Sequence, residues 1–563
     1  MSFADRTVAE GRGCGAGLGA GAVVGGMAMT EARPRLLIAN DLTALLAGHA
    51  AREPAGTAII AGEERVSWAK LEDLSRRAAQ GLADLGVGPG DRVALWLPNV
   101  PAWLALYFAC CRLGAIAVAV NTRFRAVEVT DIVGRSGAKV LACAPGFRGI
   151  DFLGILADIP AEALAGLAGV VIVGEEPALV PPALERLRRV GFDDLIERPA
   201  MDVIHGAADS GCNIFTTSGT TKAPKFVLHR QGAIAAHCLR VARAFKTTAP
   251  GMGWLPLCGV YGFNVALMTL AAGRPIVLMD AFEPERAARL VDHHQPDLLF
   301  GFDEIYERLL ATRDAEIPFP SVRWAGYANF NTALADLPRR ADKRGLKMVG
   351  LYGMSEVQAL FAAWRADSDI ESRARGGGHP VSPLAGARTR DPETGEVLPA
   401  GMAGELELIG PSMMVGYFGN PEATDAAFTE DRYLRTGDLG IAHADGGFTY
   451  LSRMGDALRL GGFLVNPLEI EQHLMAHPMV GDVQVVAAAT REGVRAVAFV
   501  VPAGDSGFDE RAVIAHARAG LANYKTPARV FSVEAFPTTP SANGPKIQRN
   551  KLRQIAEERL RGD

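Results

Sequence analysis

The stretch Thr216-Thr217-Ser218-Gly219-Thr220-Thr221-Lys222-Ala223-Pro224-Lys225 puts five hydroxyl side chains, one glycine and two lysines into ten residues. A loop of this kind offers hydrogen-bond donors and positive charge, which is what a polyphosphate needs. It is not a Walker A loop: the lysine follows Thr221 rather than a second glycine, and Pro224 would obstruct a helix starting at once. Phosphate would be held here by side-chain hydroxyls, exposed N–H groups and lysine. Taken alone the stretch also reads as a solvated Ser/Thr/Gly linker; the β-prone runs Ile214-Phe215 and Phe226-Val227-Leu228 on either side argue for a strand–loop–strand unit with the loop at the sheet edge.

Three further segments carry chemistry. Tyr352-Gly353-Met354-Ser355-Glu356 supplies an aromatic platform, a hydroxyl and a carboxylate. Tyr352 can stack on a base and Glu356 can hold a Mg²⁺ that bridges phosphate oxygens; the alternative is a helix N-terminus capped by Ser355. In Thr436-Gly437-Asp438 the carboxylate follows a glycine turn, where it can accept two hydrogen bonds from a ribose diol or simply serve the turn. Arg453 is a fixed positive charge that the fold can bring beside it. Near the C-terminus, Lys546 ends the turn-rich loop Ser541-Ala542-Asn543-Gly544-Pro545, and alone it reads as an exposed surface lysine.

These residues have to be positioned by an α/β framework. Asn40-Asp41 caps a helix to His49, Thr57–Ile60 and Arg65–Trp68 form a hairpin, and Leu71–Leu85 is a helix ended by Gly86. The apolar runs Val93–Leu97 and Ile116–Val120 flank a helix from Val100 to Leu113. Fully apolar strands alternating with helices predict a buried parallel sheet, and the pattern continues through Lys139–Ala142, Val170–Val173, Ile276–Met279 and Leu298–Phe300. From about Thr389 short β runs broken by Gly and Asp predict a β subdomain. The expected class is therefore α/β: a large N-terminal domain over 31–453 with parallel-core sheets plus that β subdomain, and a small mobile α+β C-terminal domain over 454–563, jointed near Gly455, where glycine frees the backbone. Its strands are expected near Val483–Ala488 and Ala496–Val501, its helices near Pro467–Met475 and Glu510–Leu521.

Composition bounds the rest. With 563 residues, 49% hydrophobic and 21% charged, the chain has the make-up of an ordinary globular protein of more than one domain. A net charge of -5 leaves no basic footprint for nucleic acid. No apolar run reaches the roughly 20 residues of a membrane span, so no integral membrane association is expected. The seven cysteines are odd in number and show no CxxC spacing, which points to free thiols in a reducing cytoplasm. Residues 1–30 are a Gly/Ala-rich leader without a basic n-region or a Leu/Val-rich h-region; they are expected to be disordered, with Met27 or Met29 as an alternative start.

Taken in order, Gly88-Pro89-Gly90-Asp91-Arg92-Val93, the phosphate loop, Tyr352–Glu356, Gly404-Glu405-Leu406, Gly416-Tyr417, Thr436-Gly437-Asp438, Arg453, Gly461-Gly462, Pro467–Glu471 and the Lys546 loop resemble the adenylate-forming superfamily, the acyl-CoA synthetases and their relatives. The resemblance runs from about Asp41 to Arg553. It implies that a carboxylate attacks the α-phosphate of ATP, releases pyrophosphate and becomes an acyl adenylate, whose acyl group then passes to CoA; ATP, Mg²⁺, CoA and a small carboxylic acid would be the partners. By residue match Thr217, Ser218, Gly219, Thr220, Thr221 and Lys225 would hold the β/γ-phosphates, and Glu356 would carry the metal. Gly326, Tyr327, Ala328 and Tyr352, with Gly353, Met354 and Ser355, would frame the nucleotide, while Asp438 and Arg453 would take the ribose. Lys546 would serve adenylation, and rotation about Gly455 would then bring Arg459, Gly461 and Gly462 to the CoA tunnel. The acyl pocket would be lined by Val260, Tyr261, Asn264, Tyr327, Leu351 and Gln358, with Tyr327 and Leu351 taking up volume. That implies a compact acid, a short or medium alkanoate or an aryl carboxylate.

The sequence also departs from the family pattern. Lys222 and Phe226 replace two loop glycines, Gly259 stands where an aromatic or His gate is usual, and Pro545 precedes the lysine in a loop longer by about one residue. A stand-alone adenylating enzyme loading a carrier protein, a luciferase-like oxygenase and a nucleotide-binding protein without turnover are the alternative functions. A monomer or homodimer is expected.

Overall fold

Strands too apolar to face water must be covered on both sides, and the chain meets that demand with two large sheets. The computed structural model describes residues 40–175, 181–185, 187–217, 224–329, 334–460, 463–490, 493–504, 507–539 and 546–562. The leader, loop residues 218–223, Gly461-Gly462 and residues 540–545 lie outside the described set, as do the side chains of Arg459 and Lys546.

The first sheet has eight strands in the order Gly416–Tyr417, Lys225–Arg230, Gly211–Thr217, Ile116–Ala119, Arg92–Trp96, Ala138–Cys143, Gly169–Ile172 and Arg188–Gly191. From Gly211–Thr217 onward the neighbours are parallel. Gly211–Thr217 and Lys225–Arg230 form an antiparallel hairpin. Gly416–Tyr417 pairs along the outer side of this hairpin, so its strands are interior to the sheet, while the loop that joins them lies outside the described residues. The intervening helices start and stop where the chain signals it. Ser67 Oγ accepts from Lys70 N at 3.2 Å, so Trp68 opens the helix Trp68–Asp84 instead of ending the preceding strand. Pro101 opens Pro101–Leu113, and Gly114 closes it with φ +68°.

The second sheet has nine strands in the order Leu298–Phe302, Trp324–Ala328, Met348–Met354, Gln358–Ala363, Gly377–Pro380, Phe448–Arg453, Leu434–Ala442, Ala403–Ile409 and Gly386–Arg390. The first three are parallel and the rest antiparallel. The β runs after Thr389 thus extend this sheet rather than standing apart. The change from parallel to antiparallel pairing falls at the reversal after Met354, where Ser355 and Glu356 sit. Ser355 caps no helix: Gly353 lies so close to the returning strand that a Cβ there would be 2.6 Å from Ala359 Cα, and the chain turns into Gln358–Ala363.

The C-terminal part is built on the antiparallel pair Val480–Thr490 and Gly493–Pro502, with Arg529–Ser532 parallel to the latter. The helices Pro467–Met475, Glu510–Gly520 and Arg549–Gly562 accompany it. Its apolar residues, among them Leu458, Ile470, Val485, Val500 and Val513, form a core of their own. Glu471, fully buried, accepts from Val485 N at 2.8 Å and from Arg549 Nη1 at 2.7 Å, tying the first helix of this part to its last. The six described cysteines form no disulfide, and five of them are buried.

Candidate active site

The stem of the phosphate hairpin is anchored on both faces. Phe215 packs edge-on against Phe263 at 5.2 Å, and Phe226 points into the opposite core under the guanidinium of Arg135 at 4.4 Å. Arg135 Nη2 also donates to Pro224 O at 2.9 Å. Thr217 and Lys225 are paired at the mouth, with Thr217 Oγ1 donating to Lys225 O at 3.5 Å. Ser218, Gly219, Thr220 and Thr221, the remaining candidates in the loop, lie outside the described residues.

Glu356 is drawn to this hairpin by Tyr417, a residue without an expected role of its own. Tyr417 donates its hydroxyl to Glu356 Oε1 at 2.9 Å, and Lys225 Nζ lies 4.4 Å from the centre of the Tyr417 ring. Burial first, then the neighbouring carboxylate, raises the Tyr417 hydroxyl far above its ordinary range, so it remains a donor. One side chain therefore touches both the lysine and the carboxylate expected to serve phosphate and metal. Its partner is 61 positions away in sequence, and only Gly416-Tyr417 as a family signature hinted at it.

Across the reversal, Tyr352 OH donates to Asp438 Oδ2 at 2.6 Å. Asp438 and Arg453 face each other in register on adjacent strands, with Arg453 Nη1 2.7 Å from Asp438 Oδ1. That contact is a charged one, and since a carboxylate oxygen can accept a second bond, acceptor capacity remains on a carboxylate only 2% exposed. Burial raises the Asp438 carboxyl above its ordinary range, opposed by Arg453 and by the Tyr352 hydrogen bond. The Tyr352 ring is set by Phe448, edge-on at 5.1 Å, and by Tyr450 at 5.9 Å.

Gly326 is closely packed: a Cβ would stand 2.8 Å from both Leu351 Cδ1 and Phe300 Cδ1, and both side chains would have to shift to admit it. Its carbonyl accepts from Tyr306 OH at 2.8 Å and Tyr261 OH at 3.1 Å. Tyr327 points to the other face of the strand and donates to Ala374 O at 2.7 Å. Of the two residues expected to narrow the acyl pocket, Leu351 shares the side of Gly326 and Tyr327 does not; the alternation of the strand decides this. Ala328 ends the strand. Asn264 Nδ2 joins Val260 O at 2.8 Å to Gln358 Oε1 at 2.7 Å, so the candidates Val260, Tyr261, Asn264, Leu351 and Gln358 gather around one helix start and one strand reversal. Met354 and Ser355 lie between; Ser355 O accepts from the buried His229 Nε2 at 2.7 Å.

The C-terminal candidates are placed by backbone. Gly455 lies in a turn at 454–456, where a Cβ would meet nothing, so this conformation does not itself demand glycine. Arg459 lies in the strand Leu458–Leu460, and Lys546 pairs with Thr539. Among the described residues no three His, Cys, Asp or Glu side chains form a protein cage for a metal. A single shielded carboxylate, Glu356, fits Mg²⁺ delivered with a nucleotide, since this ion is usually held by one or two carboxylates together with phosphate oxygens. When bound, such an ion would neutralise charge developing on the phosphates.

Comparison with known proteins agrees with this geometry. The family model described as AMP-binding enzyme matches residues 46–418, and that of the AMP-binding enzyme C-terminal domain matches 469–543. A CoA ligase of Mycobacterium tuberculosis, named for a 7a-methyl-1,5-dioxo-octahydro-indenyl propanoyl group, is 32% identical over 510 residues, covering 89% of this chain and 96% of its own. A feruloyl-CoA synthase of an Amycolatopsis species is 31% identical over 527 residues, with the same coverage of 89% and 96%. The crystal structure of ATP-bound MatB from Rhodopseudomonas palustris superposes with a TM-score of 0.77 at 27% identity, over 92% of this chain and 99% of that one. The chain belongs to the AMP-binding enzymes, the adenylate-forming superfamily that its ordered motifs resemble.

Proposed function

We propose that this protein is an ATP-dependent carboxylate–CoA ligase. The observation that carries the reading is the convergence of Tyr352, Glu356, Asp438 and Arg453, with Tyr417 and Lys225, around one strand reversal. A nucleotide bound there would set its sugar against the open acceptor of Asp438 and the charge of Arg453, and its phosphates toward Thr217–Thr221 and Lys225. A carboxylate oxygen of the acid attacks the α-phosphorus, the bond to the β-phosphate oxygen breaks, and pyrophosphate leaves. The residues' task is to position these groups and oppose the developing charge. In the second step the CoA sulfur attacks the carbonyl carbon, the bond to the phosphate oxygen breaks, AMP leaves, and the thiol proton passes to solvent.

Lys546 supplies the ammonium group of the first step, and Arg459, Gly461 and Gly462 guide CoA in the second. The separate core of the C-terminal part supports its motion as a unit about Gly455, with residues 454–563 as the mobile domain and 31–453 as the body. The acid is compact, aryl or short to medium in chain; Leu351 beside Gly326 and relatives named for ring-bearing acyl groups support this. The site is assembled from one chain, which suits a monomer or homodimer. Among the described residues no helix is long and apolar enough to cross a membrane. The free thiols of the six described cysteines support a reducing cytoplasm as the location. The test is pyrophosphate release from ATP over a panel of aryl, alicyclic and alkanoic acids, with and without CoA. Acid-dependent release with CoA consumed is expected. Release without CoA consumption would assign the protein to carrier loading, and silence across the panel would refute adenylation.

A further inference from the structure

Gln358 is fully buried, and its side-chain orientation is dictated by its neighbour. Asn264 Nδ2 donates to Val260 O at 2.8 Å, a backbone carbonyl that can only accept. The same nitrogen meets Gln358 at 2.7 Å, so the Gln358 atom facing it is the oxygen. That leaves Gln358 Nε2, with two N–H groups and no acceptor among the described residues. Native interiors rarely keep such a group unless something absent from the bare fold completes it. The backbone adds a second anomaly: Gln358 holds φ +72°, a region that favours glycine, yet the chain places a long amide there.

The donor also lies among the residues that the ligase reading assigns to the acyl pocket. Gln358 pairs with Met354 across the reversal that carries Glu356, and Asn264, Val260 and Tyr261 rise from the facing helix. The groups gathered here, Val260, Tyr261, Asn264 and Leu351, are uncharged, so nothing among them would neutralise a second carboxylate. A neutral oxygen could accept from Nε2 without stranding a charge.

We infer that Gln358 Nε2 is a specificity-determining donor, and that the acid carries a neutral hydrogen-bond acceptor, an oxo or ether oxygen, on its acyl skeleton away from the reacting carboxylate. The inference rests on the ligase reading above and adds a substrate class to it.

The experiment measures kcat/KM for pyrophosphate release with three matched pairs: cyclohexanepropanoate and its 4-oxo derivative, octanoate and 7-oxooctanoate, hydrocinnamate and its 4-methoxy derivative. In the wild type at least one oxygen-bearing member is expected to exceed its hydrocarbon partner by about tenfold or more, the scale at which a buried unpaired donor discriminates. Gln358→Met keeps the length and removes the donor; Gln358→Glu keeps the oxygen that Asn264 needs and removes the N–H groups. Collapse of the preference to about one in either folded variant supports the inference. Equal turnover within all three wild-type pairs, or a preference that survives both substitutions, overturns it. No release with any of the six acids also overturns it, whereas the ligase reading falls only if the wider panel is silent.

Discussion

Replacing Asp438 by alanine tests the nucleotide grip most directly. In the folded chain Asp438 Oδ2 accepts from Tyr352 OH at 2.6 Å, and Oδ1 faces Arg453 at 2.7 Å with acceptor capacity to spare. Hydrogen bonds to a charged acceptor are each worth about 1.5–3 kcal/mol. Two bonds to a ribose diol would thus be worth roughly 3–6 kcal/mol, less what the unliganded protein recovers by no longer burying a carboxylate. Loss of the Arg453 pair is common to the free and the nucleotide-bound variant, and the guanidinium, about half exposed, can turn to water, so it subtracts little from the difference. A net loss of about 2–4 kcal/mol corresponds to an ATP Kd raised about 30- to 1000-fold.

The assay is calorimetric titration of wild type and Asp438→Ala with ATP and with 2′,3′-dideoxy-ATP, which lacks both hydroxyls. If carboxylate and diol bond each other, removing either costs about the same, and removing both costs scarcely more than removing one. Asp438→Asn retains an acceptor for Tyr352 and guards against misfolding; it is expected to fall between wild type and alanine. Strictly additive losses from the substitution and the dideoxy nucleotide would refute the ribose assignment, even if each loss alone were large.

Four other outcomes follow from the same geometry. Tyr417→Phe removes the hydroxyl that holds Glu356 but keeps the ring under Lys225, so the Mg²⁺ concentration for half-maximal pyrophosphate exchange should rise about tenfold or more, with unchanged Mg²⁺ dependence as the contrary result. Arg549→Met strands the buried Glu471 carboxylate and should destabilise the C-terminal part by about 3–5 kcal/mol in denaturant titration, whereas Glu471→Leu combined with Arg549→Met should recover much of it; equal instability of single and double variants would show that charge is not the cause. Burial lowers His229 and His237 from the ordinary 6.5 to about 4, so the unfolded chain takes up protons that the folded chain refuses. Stability should therefore fall as pH drops from 6.5 toward 4, by about 3 kcal/mol per histidine at the lower end, and His237→Gln should flatten that slope by one histidine's share. Lys546→Ala should abolish adenylation while leaving thioester formation from a supplied acyl adenylate largely intact; equal loss of both half-reactions would remove it from its assigned role.

The features legible in the sequence are those whose cause is local. Asp41 caps a helix, Gly86 follows the end of another, and continuous apolar runs such as Val93–Leu97 can be stable only between two layers, so most helices and parallel strands fall close to where they are expected, whereas Ser67, read only as strand, also caps a helix. The candidate site residues stand out because their types are unusual for their surroundings. Their partners do not. Tyr352 and Asp438 are 86 positions apart, and nothing local in Thr436-Gly437-Asp438 distinguishes a carboxylate held by a tyrosine from one that serves a turn. An apolar strand gives no phase for its alternation, so nothing local decides which side Tyr327 takes; the phase is set by Gly326 packing against Leu351 and Phe300. Ser355 reads equally as a helix cap because the deciding contact, Gly353 against Ala359, belongs to the following strand.

The register that opposes Asp438 to Arg453 also constrains how the two parts of the chain can move. Arg453 is the last residue of its strand, and its carbonyl accepts from Asp456 N at 3.0 Å and Ala457 N at 2.9 Å, while Met454 N donates to Gly437 O at 2.8 Å. The turn expected to act as the hinge is therefore hydrogen-bonded to both strands that carry Asp438 and Arg453. A rotation confined to Gly455 and Asp456 can leave the Met454–Gly437 bond intact, but it must break or redirect the bonds from 456 and 457, which are the ones that fix the direction of the following strand. If the C-terminal domain swings between the half-reactions, the grip on the ribose is preserved only when the motion begins after Met454. On this reasoning Asp456→Pro, which removes one of the two N–H donors and restricts the turn, impairs the exchange between half-reactions and leaves ATP affinity nearly unchanged. A large loss of ATP affinity in that variant would mean that the strand register and the hinge are not separable.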